Sequence, residues 1–176
     1  MTSDTSERGL ERLICIALSG DPCEPAHDAE IARPSPGYGG VGWLPGDWRN
    51  YDRDYCVDLA QLSLFLRQTQ AEAAEALALD EDGPTRRKFL ARLQGEITRR
   101  GTIDVLRHGI KHGPLHIDLF YGTPSPGNLK AAERYAANRF SVTRQLRYSR
   151  IETQRALDLA LFINGLPVAT FELKTA

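Results

Sequence analysis

Asp158, Glu172 and Lys174 are the only charges in residues 156–174, an apolar stretch that reads as two strands joined by Asn164-Gly165. Asn-Gly between two such runs is the strongest short hairpin signal a sequence offers. Strands this apolar belong in the middle of a sheet, where an isolated charge is too costly to keep. The two carboxylates and the ammonium must therefore be paired, hydrated or bound to a metal. The spacing Asp-x13-Glu-x-Lys suits magnesium-dependent cleavage of a phosphodiester. Two carboxylates are oxygen ligands for Mg²⁺, which keeps several waters, and the lysine can orient or help deprotonate the attacking one. The competing reading is a hairpin whose Glu172–Lys174 end is merely solvated.

The chemistry constrains the register, because a one-residue slip moves a side chain to the other face. With a plain two-residue turn, opposed residue numbers sum to about 329, so Asp158 meets Phe171 and Glu172 faces away. A three-residue loop with Gly165 left-handed changes the sum to about 328. Asp158 then faces Thr170, with Glu172 its diagonal neighbour on the same face at roughly 7–8 Å. A metal site therefore requires a glycine bulge at the turn, or an equivalent bulge near Pro167, which has no N–H for the ladder.

The elements that must position this hairpin are legible in part. Residues 6–18 form an amphipathic helix with Leu10, Leu13, Ile14 and Ala17 at helical spacing. Ser3 or Ser6 is placed to cap it, and Glu11 sits at the edge of its apolar stripe. Residues 20–55 are loop-rich, with Pro22, Pro25, Pro34, Pro36 and Pro45. The aromatics Tyr38, Trp43, Trp48, Tyr51 and Tyr55 could stack on bases but are better suited to pinning the loop to the core. A long helix is expected over 57–79, and another begins at Pro84 with Phe89, Leu90, Leu93 and Ile97 on one side. Thr102 opens a short helix. His108, His112 and His116 are spaced like metal ligands, but Gly109, Gly113 and Pro114 favour a turn into a strand over 115–121. Asn128 caps a helix over 129–138. Residues 140–148 form a strand in which Arg144, Gln145, Arg147 and Tyr148 suit phosphate contacts, unless it is a charged edge strand.

The 176 residues suit one domain, and an apolar content of 41% is enough for a core. There is no run long enough to span a membrane and no secretory leader. Cys15, Cys23 and Cys56 are an odd set without metal spacing, read as reduced thiols of a cytoplasmic protein. Residues 1–83 carry 6 Lys/Arg against 16 Asp/Glu, and residues 84–176 carry 16 against 7. A basic half that also holds the candidate site is the footprint expected for a polyanion. The alternative is that the halves neutralise each other within the fold. No phosphate-binding loop of the ATPase type is present.

Four stretches carry a family resemblance: Thr5-Ser-Glu-Arg-Gly-Leu-Glu-Arg-Leu-Ile, Arg100-Gly-Thr-Ile-Asp-Val-Leu-Arg-His-Gly, Tyr135-Ala-Ala-Asn-Arg-Phe-Ser-Val-Thr-Arg-Gln-Leu-Arg-Tyr-Ser and Leu157-Asp-Leu-Ala-Leu-Phe-Ile-Asn-Gly-Leu-Pro-Val-Ala-Thr-Phe-Glu-Leu-Lys. Together they resemble the N-terminal nuclease domain of the restriction (R) subunit of type I restriction enzymes. The resemblance implies a PD-(D/E)XK nuclease core, a mixed sheet flanked by helices, with Asp158, Glu172 and Lys174 as the catalytic set. Leu157 stands where the superfamily name has Pro. A first-helix glutamate near the metal is implied at Glu11, and the Leu173 carbonyl is a further candidate ligand. Double-stranded DNA is the implied substrate and Mg²⁺ the cofactor. Methylation and specificity subunits are the implied partners, with ATP used by a motor elsewhere on the R polypeptide. The chain ends two residues past Lys174, without the helix carrying a Gln-x-x-x-Tyr pattern that follows in many relatives, so a truncated core is expected. A non-catalytic DNA-binding or assembly module is the rival from another class, and an aggregation-prone relic a third possibility.

Overall fold

The computed structural model describes residues 6–24 and 40–174. In chain order they form α1 (Glu7–Ser19), β1 (Leu44–Pro45), a 3₁₀ turn (Trp48–Asn50), β2 (Tyr51–Asp52), β3 (Val57–Asp58), α2 (Leu59–Thr69), α3 (Ala71–Leu77), α4 (Pro84–Arg100), α5 (Thr102–His108), β4 (Ile110–His112), β5 (Leu115–Ile117), α6 (Leu129–Ala136), β6 (Phe140–Arg147), β7 (Ala156–Ile163) and β8 (Leu166–Phe171). The main sheet has the order β1-β6-β7-β8. β1 runs parallel to β6, and β6-β7-β8 is an antiparallel meander. The expected mixed α/β architecture is therefore present. Ser3, Tyr38 and the 25–39 part of the expected loop lie outside the described residues.

Local chemistry sets most boundaries. Ser6 Oγ accepts from Gly9 N at 3.1 Å, and α1 stops at Gly20 with φ 77°. Asn128 caps α6 by accepting from Ala131 N at 3.0 Å. Two expectations change. The helix expected over 57–79 breaks at Gln70, whose side-chain amide donates to Asp118 O at 2.7 Å and accepts from Asp118 N at 3.0 Å. This bidentate grip on a distant backbone overrides helix propensity. The strand expected over 115–121 stops at Ile117, because it pairs only with the short β4 across the turn at Gly113.

The Asn164-Gly165 turn is the two-residue kind, with φ 51° and 84° at its two residues. The Asn164 side chain is buried, accepting from Arg139 N at 2.6 Å and donating to Leu119 O at 2.9 Å and Asn138 Oδ1 at 3.0 Å. Gly165 is packed so tightly on α2 that a Cβ there would stand 2.4 Å from Asp58 O. Beside the turn, Ile163 opposes Leu166 and Phe162 opposes Pro167. Val168 then has no opposed residue, and the ladder resumes as Leu161↔Ala169, Ala160↔Thr170 and Leu159↔Phe171. The extra residue is a β-bulge next to Pro167. It shifts the register in the opposite sense from the three-residue loop, but restores the same face parity.

Three apolar clusters hold these elements. The largest joins Phe65, Leu66, Phe89, Leu93, Val105 and Ile117 with Leu166 at the hairpin tip. A second, Cys15, Cys23, Val142 and Leu159 with Ile14, Leu18 and Leu173, seats α1 against the sheet. The third packs Leu146, Ala160 and Phe162 under Trp48 and Tyr51. The face that α1 buries is not the expected one. Leu10 and Leu13 are 44% and 55% exposed, and the helix turns Gly9, Glu11 and Cys15 inward.

Candidate functional site

Glu11 is 1% exposed. A carboxylate at that depth needs partners, and the neighbouring strand supplies them. Arg144 Nε donates to Glu11 Oε2 at 2.7 Å, and Gln145 Nε2 donates to Glu11 Oε1 at 2.9 Å. Arg144 reaches Glu24 Oε1 at 3.1 Å as well, and donates to Arg8 O at 3.3 Å and Pro22 O at 3.4 Å. Burial alone would pull the Arg144 guanidinium down. The hydrogen bond and charge of Glu11, with Glu24 behind it, more than offset this and hold its pKa above the ordinary value.

Gln145 is the joint of the site. The β6–β7 ladder runs from Phe140↔Ile163 to Arg147↔Ala156 but omits the pair Gln145 and Asp158. Gln145 has φ 51°, left-handed backbone inside a strand. That twist breaks the ladder, and the Gln145 amide nitrogen lies 3.4 Å from Asp158 Oδ1 while holding Glu11. The other Asp158 oxygen accepts from Leu173 N at 2.5 Å. One neutral amide thus bridges carboxylates from α1 and β7. Gln145→Gly should be more stable than Gln145→Ala by about 1–2 kcal/mol, since glycine adopts this left-handed backbone freely. Denaturant midpoints of the two variants measure this, and equal midpoints would contradict it.

The structure brings some of the sequence candidates together and leaves others apart. Glu11, Gln145 and Asp158 share one hydrogen-bonded cluster, with the Leu173 backbone attached through its N–H rather than its carbonyl. The β7–β8 ladder ends one pair short of Asp158 and Glu172, which its register would oppose directly. Glu172 and Lys174 are exposed beyond that end. No group of three or more His, Cys, Asp and Glu side chains converges as a metal site among the described residues. The expectation that Arg144 grips phosphate is corrected, because its guanidinium is buried and engaged by Glu11 and Glu24. Gln145, expected on the same surface, is turned to the carboxylates instead. Arg147 and Tyr148 do face outward. The Arg147 guanidinium lies 4.7 Å from the Trp48 ring centre, with Arg53 at 6.0 Å, and Tyr148 is 37% exposed. Trp48, expected to pin its loop to the core rather than to stack on a base, also gathers cations, which no local sequence signal marks.

Much of the basic half is neutralised internally. Arg86 and Arg87 meet Asp82, Arg92, Arg99 and Arg100 meet Glu96, and Arg100 also meets Asp104.

An α/β domain in which acids from a first helix and from the β7–β8 hairpin join at one end of a mixed sheet is consistent with a nuclease-like domain. The chain belongs to the family described as type I restriction enzyme R protein N terminus (HSDR_N), whose profile matches residues 87–176, about half of its length. The match includes Gln145, Asp158, Glu172 and Lys174; Glu11 lies outside it and joins the site through the fold. Comparison with curated proteins and with solved structures gave no match. No helix among the described residues is long and apolar enough to cross a membrane.

Proposed function

We propose that this chain carries the Mg²⁺-dependent, DNA-cleaving site of a type I restriction R subunit, built on a PD-(D/E)XK core. The observation that carries this reading is the junction of Glu11 and Asp158 through the Gln145 amide, at the hairpin end whose register faces Asp158 with Glu172. The donor set fits the ion. It consists of carboxylate and backbone oxygens, which suit a hard divalent cation, and it is only partly buried, so water can enter. Asp158 and Glu172 would hold Mg²⁺, with Glu11 behind them and the Leu173 carbonyl as a further donor. When bound, Mg²⁺ supplies a water of lowered pKa and offsets the charge that grows on the phosphate. Lys174, exposed at the mouth, orients that water and stabilises the developing charge. Arg147 and Tyr148, beside Trp48, hold the DNA backbone. Partner subunits supply site recognition, and ATP serves a motor that the R polypeptide carries elsewhere. The setting is the cytoplasm, where the three cysteines stay reduced.

A second reading, a DNA-binding or assembly module without catalysis, is favoured by one observation: Glu172 stands outside the carboxylate pair among the described residues. Plasmid nicking separates the two. With Mg²⁺, supercoiled DNA is expected to pass to the open-circular form, and EDTA or Asp158→Asn should abolish this. Nicking that persists unchanged in Asp158→Asn would refute the proposed site. DNA binding without any nicking would favour the non-catalytic module.

A further inference from the structure

Correcting Arg144 removes a cation from the surface expected to meet a polyanion, and salt bridges account for most arginines of α4. One face of that helix is different. Lys88 and Arg92, one turn apart on α4, converge with Lys111 and His112 of β4 and with Gly113 around an open cavity of about 540 Å³. No acidic side chain among the described residues lines it. Arg92 is held by Glu96 at 3.0 Å, whereas Lys88 and Lys111 form no ion pair among the described residues. Their ammonium groups remain available to a ligand. The His112 ring is fixed edge-on against Phe89, with centroids 5.6 Å apart and planes at 89°. Burial first, and then the charges of Lys88 and Arg92, hold its pKa below the ordinary histidine value.

We propose that this cavity is a second nucleic-acid contact, in which Lys88, Arg92 and Lys111 take phosphates of the DNA backbone. Like charges held together around an open cavity repel one another, and an anion relieves that repulsion. Phosphate is an anion that lysine point charges and a guanidinium fork can both hold. Among the described residues the lining offers no carboxylate or hydroxyl to select a ribose, and its one ring, His112, is held edge-on against Phe89. That disfavours a free nucleotide and suits a polymer bound at several phosphates. The contact shares its substrate with the proposed cleavage site but uses none of its residues.

Fluorescence anisotropy with a short labelled duplex, the full chain and EDTA tests this without cleavage. Lys88→Glu with Lys111→Glu should weaken binding at low salt by at least about tenfold, and should flatten the slope of log affinity against log salt by about two. Both lysines are exposed, so thermal unfolding should be unchanged. The charge-matched control Arg107→Glu with Lys130→Glu, on α5 and α6, should bind as wild type. Unchanged affinity in the lysine variant would overturn the proposal, and so would an equal loss in the control, which would reveal only net charge. Tripolyphosphate binding more tightly than the duplex would make the cavity a polyphosphate pocket and overturn it too. Nicking with Mg²⁺ and duplex binding in EDTA are separate readouts, so failure of the cleavage reading and failure of this one are distinguishable.

Discussion

Glu11→Ala is expected to destabilise the protein by about 3–5 kcal/mol, the cost of leaving a buried charge without its partner. Arg144 is the charge in question, with 8% of its side chain exposed and its closest contact, 2.7 Å, on Glu11. Glu24 is more than half exposed and cannot replace that partner, although it keeps the loss toward the lower figure. The substitution also strips Gln145 of its shorter hydrogen bond. Against a typical total stability of about 5–15 kcal/mol, a loss of this size is a large fraction. Removing both charges should behave differently. Glu11→Leu with Arg144→Leu should recover most of the loss, because a well-packed apolar pair avoids the desolvation cost. Urea unfolding of the three proteins provides the comparison. A loss below about 1 kcal/mol in Glu11→Ala would mean that the pair behaves like an exposed surface salt bridge.

Lys174→Ala should act on activity alone. Lys174 is exposed and forms no ion pair among the described residues, so its removal leaves folding untouched. If its ammonium stabilises charge on the phosphate, nicking should fall about 10²–10³-fold, the usual effect of losing one such donor. Lys174→Arg should restore little, since a planar guanidinium presents its donors in a different geometry. A nicking rate within about tenfold of wild type in Lys174→Ala would remove Lys174 from the mechanism. Comparing unfolding midpoints with nicking rates distinguishes this case from Glu11→Ala, where both should fall.

The sequence disclosed what depends on neighbours in the chain. Asn164-Gly165 announced its turn, Pro84 and Asn128 announced helix starts, and the apolar bodies of β7 and β8 announced strands; β7 lies inside the sheet as expected, whereas β8 is its edge among the described residues. The bulge was inferred from chemistry rather than from a local signal. A plain turn would have set Asp158 and Glu172 on opposite faces, and only an extra residue cures that; the structure places it at Val168. What stayed hidden depends on distant partners. Periodicity placed Leu10 and Leu13 inward and Glu11 at the margin, whereas the buried position of Glu11 is decided by Arg144, 133 residues away. The break at Gln70 is decided by Asp118. Arg144 has the composition of a phosphate contact, and only its burial excludes that role. Left-handed Gln145 has no sequence signature, because glutamine seldom adopts that backbone.

The pairing of Glu11 with Asp158 through Gln145 joins residues near opposite ends of the chain. Such long loops close late, since their entropy is lost before the contact gives anything back. During synthesis, the carboxylate cluster therefore cannot exist until β6 and β7 have emerged and β6 has docked against α1. Any opening that lifts that helix takes the cluster apart again. The fold thus ties the cluster to the docking of that helix: a frayed chain carries the acids but not the arrangement.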